Sequence, residues 1–351
     1  MTTLTLIAKV PYTTESTDKV YVTGNTNELC QWKADCIEMS SLGNGIFQAQ
    51  IQVPQNASGV QYKITRGTLN SDSTNGTQTL KSTPASPTVL QLFQWVDRKP
   101  TGAPATLEVI PDFYSPELQN SRALRILLPE SYAAHPEKSY PVIYMHDGQN
   151  IFDSATANYK IEWNVDETLY ALVRSGKVRE AIVVAPDANQ DRLNEYDFTI
   201  KGQLYANFLL STVKPFVDSH YRTLKDREHT YLSGSSMGAH ISLALLWHHP
   251  EVFSKMAGLS FPADIHGQSI YKIITPSTRP ILPIDIYLDH GDYGQDATYP
   301  KPADDFMNYL LKTLNFKPHQ LQYLNFPFAE HFESDWARRF AVPLQFLLSG
   351  S

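Results

Sequence analysis

Cysteine is nearly missing from this chain: 351 residues include only Cys30 and Cys36. Two cysteines with no histidine cluster beside them make neither a zinc site nor a disulfide framework. Both are read as small buried apolar side chains. Blocks of Lys and Arg are missing too, and the formal net charge is −7. Without a basic patch there is no footprint for the phosphates of a nucleic acid. No apolar run is long enough to span a bilayer. The opening Met1–Ala8 lacks the basic start and continuous apolar centre of a secretory signal. The expected location is therefore the cytoplasm, with export left open because a cleaved leader would not show in this numbering. Internal repeats and low-complexity stretches are also absent. What remains is an ordinary globular balance, 42% hydrophobic and 19% charged, in a chain long enough for two domains.

The two ends differ in texture. Residues 1–97 carry short alternating runs at Leu4–Ala8, Lys19–Thr23, Gly45–Val53, Val60–Thr65 and Thr88–Phe93, separated by Gly- and Asn-rich turns. Strands at this spacing predict an all-β sandwich. Residues 98–104, rich in Pro, Gly and charge, read as a linker. From residue 105 to 351, apolar runs of strand length alternate with helical patterns. Strands are expected at Thr106–Ile110, Arg122–Leu128, Pro141–Met145, Ala181–Pro186, Thr230–Ser233, Lys255–Leu259, Ile284–Leu288 and Gln320–Asn325. Helices are expected at Val165–Arg174, Leu204–His220, Met237–His249, Ala303–Leu314 and Trp336–Leu348. Strand–helix alternation with continuous apolar strands predicts an α/β domain around a mostly parallel sheet.

Gly234-Ser235-Ser236-Met237-Gly238 reads G-x-S-x-G between an expected strand and an expected helix. That context displays a serine at the tip of a sharp turn, above the positive end of the helix. Ser236 is the candidate nucleophile, and Ser235 is expected to point away from the cleft. A serine hydroxyl needs an adjacent base. His331, after the last expected strand, stands where the order Ser, acid, His puts it. Of the other histidines, His248 and His249 end a helix, and His220, His229 and His319 read as surface residues. His240 reads as a packing residue. His146 and His290 stand at strand ends, where either could contact substrate. The acid should follow Ile284–Leu288; Asp289, Asp292 and Asp296 are all available there. For an oxyanion, the Met237 amide is one donor and the Gly148 amide, in the turn after Pro141–Met145, is the other. Asp147, beside Gly148, joins them as an oxyanion or substrate-binding candidate. Trp163, Arg192, Glu195, Tyr196 and Phe261 are expected to shape the pocket, with Arg192 and Glu195 forming an ion pair. Nothing in this chemistry calls for a metal or an organic cofactor.

Residues 105–350 resemble the esterase group of the α/β-hydrolases. That group includes enterochelin-type trilactone esterases, feruloyl and acetyl-xylan esterases, S-formylglutathione hydrolase and mycolyltransferases. The resemblance runs through Tyr140–Asp153, Glu162–Glu167, Arg192–Tyr196, Lys214–Asp218, Gly234–Gly238 and Ala329–Trp336, the last similar to an H-x-E-x-x-W ending. It implies an α/β-hydrolase fold preceded by an immunoglobulin-like sandwich, with His331 as base. Related endings often read G-x-x-x-L-D after the acid strand. Gly291 to Asp296 fits this with Gln295 in place of Leu, which favours Asp296. Residues 15–95 resemble a family-20-type starch-binding module through Val22–Asn25, Glu28–Trp32 and Tyr62–Gly67. Cys30 replaces the usual Gly, and Thr68-Leu69 stand where such modules often place a second sugar-stacking Trp. The resemblance implies a serine esterase acting on a small or saccharide-linked acyl ester, with glycan contact through the first domain. Siderophore trilactone hydrolysis and a glycan-binding protein with weak catalysis are the alternatives. Neither nucleic acid nor membrane is an expected partner.

Overall fold

Alternating apolar and polar residues near the start of the chain build two four-stranded sheets. A computed structural model describes residues 1–11, 14–82, 84–92, 95–97, 106–197, 199–265, 268–272, 274 and 280–349. Contacts divide the chain into Met1–Thr101 and Gly102–Ser351. The linker expected at 98–104 and the end of the strand expected at Thr88–Phe93 lie outside the described residues.

In the first unit, one sheet orders its strands Ser40–Gly43, Ile46–Val53, Thr2–Lys9, Thr88–Gln91. The other runs Ile37–Glu38, Tyr21–Gly24, Gln61–Thr65, Gln78–Thr79. Leu4, Leu6, Ile51 and Val53 from the first share one core with Val22, Tyr62 and Ile64 from the second. This is a sandwich; Ile46–Val53 alternates buried and exposed residues over its second half, while the end of Thr2–Lys9 is buried on both faces. Trp95 fills that core and donates its indole N–H to the Thr14 hydroxyl at 2.7 Å. Trp32 stays outside it, half-buried.

The cysteines differ from their expected state. Cys30 and Cys36 form a disulfide, Cys30 is exposed and Cys36 is half-buried. Cys30 has a φ of 57°, the left-handed region that favours glycine, which accounts for the Gly usual at this position. Gln31 and Trp32 are left-handed as well, so the chain doubles back sharply enough to bring the two sulfurs together.

The second unit is built on eight strands: β1 (Leu107–Ser115), β2 (Asn120–Leu127), β3 (Val142–Met145), β4 (Ile182–Pro186), β5 (Thr230–Ser235), β6 (Lys255–Leu259), β7 (Asp285–Gly291) and β8 (Leu321–Phe326). Their spatial order is β8-β7-β6-β5-β3-β4-β2-β1. Strand β2 is antiparallel to both β1 and β4, and all other pairs are parallel. Side chains leave a strand alternately to its two faces. Tyr144, Leu232, Ile286 and Leu288 therefore enter one core, while Ile143, Tyr231 and Tyr287 enter another.

Eight α-helices are described: α1 (Val165–Arg174), α2 (Arg192–Tyr196), α3 (Ile200–Asn207), α4 (Lys214–His220), α5 (Met237–His248), α6 (Pro300–Lys312), α7 (Glu333–Arg339) and α8 (Ala341–Leu348). Two expected helices are interrupted. Leu204–His220 is split by a π-helical segment at Phe208–Val213, just before Pro215. Proline offers no N–H to the carbonyl four residues back, and the ladder widens there. Pro343 ends the ladder between α7 and α8 in the same way. Among the described residues no helix is long and apolar enough to cross a membrane.

Candidate active site

Strand β5 ends in the G-x-S-x-G turn, and α5 begins one residue after Ser236. A Cβ on Gly234 would stand 2.7 Å from the Gly238 carbonyl carbon, so this turn closes only with glycine there. Ser236 itself has φ 53° and ψ −126°, a costly conformation for a side-chain-bearing residue. Its amide donates to the Leu259 carbonyl at 2.9 Å, and its carbonyl accepts from the Ala239 and His240 amides. The strained turn is thereby tied to both β6 and α5. Within Tyr231–His240, Ser236 alone is not buried.

His331 lies between β8 and α7. Its Nδ1 meets Asp296 Oδ1 at 2.9 Å. With that proton shared toward the carboxylate, Nε2 is the basic nitrogen. The imidazole is packed edge-on against Trp336 and Tyr299, at ring separations of 5.1 and 5.5 Å. The three available acids have separate partners. Asp292 accepts from the Phe328 amide. Asp289 is held by Arg339, the Tyr287 hydroxyl and the Ser260 amide. Asp296 alone is bonded to His331.

Asp296 is fully buried, and its second oxygen accepts from the Ser260 hydroxyl at 2.6 Å and the Gly291 amide at 2.9 Å. Ser260 Oγ in turn accepts from Trp336 Nε1 and Arg339 Nη2, both at 2.8 Å. Burial works to raise the Asp296 ionisation. The bonds from His331 and Ser260, the charge of Arg339 and the Gly291 amide outweigh it and leave the carboxyl below its ordinary range. Ser260 and Arg339 were not singled out from sequence. The available signals were the position of Ser260 directly after β6 and the spacing of three between Trp336 and Arg339, which puts both on one helix face.

Ser236 and His331 line one cavity of about 280 Å³. Asp147, Arg192, Glu333, Asn150, Asn158 and Gln295 supply its other polar walls; Tyr159, Trp163, Phe332 and Trp336 supply its rings. Ser235, expected to face away, also lines it. Met237 and Gly148 are not among the lining residues. Each opens a helical turn, α5 or the 3-10 turn Gly148–Asn150, where the first N–H groups have no intrahelical acceptor. The Gly148 Cα packs so closely on β4 that a Cβ would meet the Ala185 carbonyl at 2.5 Å.

Several expected pocket residues are placed differently. Arg192 pairs with Asp147, not Glu195, through two bonds of 2.6 and 2.7 Å. Glu195 turns inward to a two-point pair with Arg122 of β2, and both are buried. Asp147 is left-handed, and its amide donates to the Tyr196 hydroxyl at 3.2 Å. Tyr196 and Phe261 are themselves buried in the core. Neither His146 nor His290 reaches the cavity. His146 meets the Tyr205 hydroxyl, and burial first, with Arg192 adding to it, drives its ionisation down to about 4. His290 is held by the Gly291 carbonyl and the Tyr323 hydroxyl. His240 packs against the Tyr196 carbonyl as expected.

Residues 115–346 match the family described as "Putative esterase", and residues 2–86 match the family described as "Starch binding domain". The chain belongs to the esterase family. A Bacillus subtilis (strain 168) protein, "Uncharacterized protein YjcH", is 26% identical over 157 residues, 44% of this chain and 61% of that protein. The chain thus spans less than two thirds of that relative's length. Among solved structures, the ferulic acid esterase of Anaeromyces mucronatus aligns at 22% identity and TM-score 0.52, covering 71% of this chain and 92% of that one. The enterobactin esterase of Shigella flexneri, solved in the presence of enterobactin, aligns at 17% identity and TM-score 0.58, covering 98% and 92%. At these identities the likeness is one of fold: an α/β-hydrolase unit following a β domain.

Proposed function

We propose that this chain is a serine carboxylic-ester hydrolase acting on a small or saccharide-linked acyl ester. The observation that carries the reading is the bond between His331 and a buried, ionised Asp296, on the wall of the cavity that Ser236 enters. Ser236 Oγ attacks the ester carbonyl as His331 Nε2 takes its proton. Asp296 holds the imidazole in the required tautomer and stabilises the imidazolium. The Met237 and Gly148 amides hold the oxyanion. His331 then protonates the leaving alcohol, and its next proton comes from the water that hydrolyses the acyl-enzyme. No step needs a metal or an organic cofactor.

Trp32, half-exposed in the disulfide-closed loop, supports glycan contact by the starch-binding-like unit. The Cys30–Cys36 bond favours an oxidising compartment over the cytoplasm. A trilactone siderophore is the weaker reading. Arg192 is the one Lys or Arg lining the cavity among the described residues, and Asp147 already neutralises it. An acidic catecholate would find no free cation there.

Hydrolysis of 4-nitrophenyl acetate and butyrate by wild type and Ser236→Ala tests the reading. Turnover should fall at least about a thousandfold in the variant with the melting temperature unchanged. Equal turnover in both would sink it, and a glycan-binding role would then lead.

A further inference from the structure

One carboxyl on the cavity wall has no part in the chemistry above. Glu333 opens α7 two residues after His331, lines the cavity and is 6% exposed. The charged groups facing it come from separate elements. Asp147 follows β3 and Arg192 lies on α2, and their two-point pair cancels both charges. His331 stands on the same wall, with its imidazole turned to Asp296. Farther along α7, Asp335 and Arg338 pair with each other, and Arg339 is committed to Asp289 and Ser260. The rest of the lining is neutral: the amides of Asn150, Asn158 and Gln295, and the rings of Tyr159, Trp163, Phe332 and Trp336. An ionised Glu333 is therefore the one uncompensated charge that this wall presents to a substrate.

We infer that Glu333 is a specificity-determining residue that admits esters of neutral, hydroxyl-bearing molecules and turns away esters with a carboxylate or phosphate near the reacting carbonyl. The inference rests on the ester-hydrolase reading. A carboxyl can serve a neutral polyol in either protonation state, donating its O–H when protonated and accepting from a hydroxyl when ionised. An anionic substrate is tolerated only by the protonated form. Once Glu333 ionises, two like charges share a cavity of about 280 Å³, where Coulomb repulsion is stronger than in bulk water. Burial pushes the Glu333 ionisation up to about 7 against the pull of its own backbone amide, while Asp147 and Arg192 act in opposite directions. Discrimination should therefore sharpen as pH rises through neutrality.

The test uses two matched pairs of esters: 4-nitrophenyl butyrate with 4-nitrophenyl hemisuccinate, and an acetylated methyl glucoside with its glucuronate counterpart. For each pair, the anionic-to-neutral ratio of kcat/KM is followed from pH 5.5 to 8.5 in the full chain. Any effect of pH on the chemical steps that both members share cancels in the ratio. In wild type the ratio for at least one pair should fall about tenfold across this range. Glu333→Gln should abolish that fall, and Glu333→Asp should keep it. Hydrolysis of the neutral esters with a ratio flat in both pairs overturns the inference alone, as does a fall that persists in Glu333→Gln. No hydrolysis of any ester beyond that of Ser236→Ala overturns the ester-hydrolase reading, and the inference with it.

Discussion

The two units bury charge to different extents. The sandwich core is mostly Leu, Val, Ile and Ala around Trp95, whose indole is satisfied by the Thr14 hydroxyl, and Lys9 and Asp72 are the charged residues buried in this unit among the described residues. The α/β unit buries more: Asp289, Asp296 and Arg339 beside one wall of the cavity, and Arg122 of β2 paired with Glu195 of α2, among others. A surface that binds a ligand by stacking needs no buried charge, and Trp32 stays half-buried outside the sandwich core. A site that must stabilise charge as it develops needs its dipoles fixed beforehand, away from water. That requirement takes ionised groups inside, where each must find a partner or destabilise the fold.

Removing a partner in the charged interior should break this contrast most. Arg339→Met leaves Asp289 without its cation and removes a donor from Ser260. A loss of about 3–5 kcal/mol is expected, read from the urea midpoint of the full chain. Ester turnover should fall with it, because Asp296 loses part of its support.

A smaller effect is expected at Glu162. It is 3% exposed, and burial, with Glu167 and Asp153 adding to it and the Ser154 amide opposing it, raises its ionisation to about 7. In the unfolded chain it ionises at an ordinary carboxyl pH. Between those two values the unfolded state holds fewer protons, so stability is full below about pH 4.5 and declines as pH rises through 7. Glu162→Gln should remove about 2 kcal/mol of that decline, seen as a melting temperature that falls less from pH 5 to pH 8 than in wild type. A wild-type profile flat over this range would contradict it.

The smallest effect on stability is expected at Trp32. Being outside the sandwich core, Trp32→Ala should change stability by less than about 1 kcal/mol and leave ester turnover unchanged. Retention on a starch column should drop if the loop is the glycan contact. Equal retention would leave the sandwich without that role.

Much of this was legible in sequence because its signals are local. Continuous apolar runs marked the parallel strands, and the strand–G-x-S-x-G–helix succession located the turn around Ser236. The helix interruptions were less legible, although Pro215 and Pro343 stood in plain view, because apolar periodicity continues through both. The disulfide was missed for another reason: pairing depends on three successive left-handed residues that no composition rule predicts.

By itself, the sequence determined the division into an all-β and an α/β half, the strand order along the chain, and the candidate serine and histidine. Backbone propensity and short-range patterning are enough for these. Tertiary structure decided which carboxylate meets His331, that Arg192 closes on Asp147 while Glu195 closes on Arg122, and that Ser260 and Arg339 stand behind Asp296. Those partners lie tens of residues apart in the chain. Only the packing of strands and helices fixes side-chain distances to the few ångströms over which hydrogen bonds and ion pairs act.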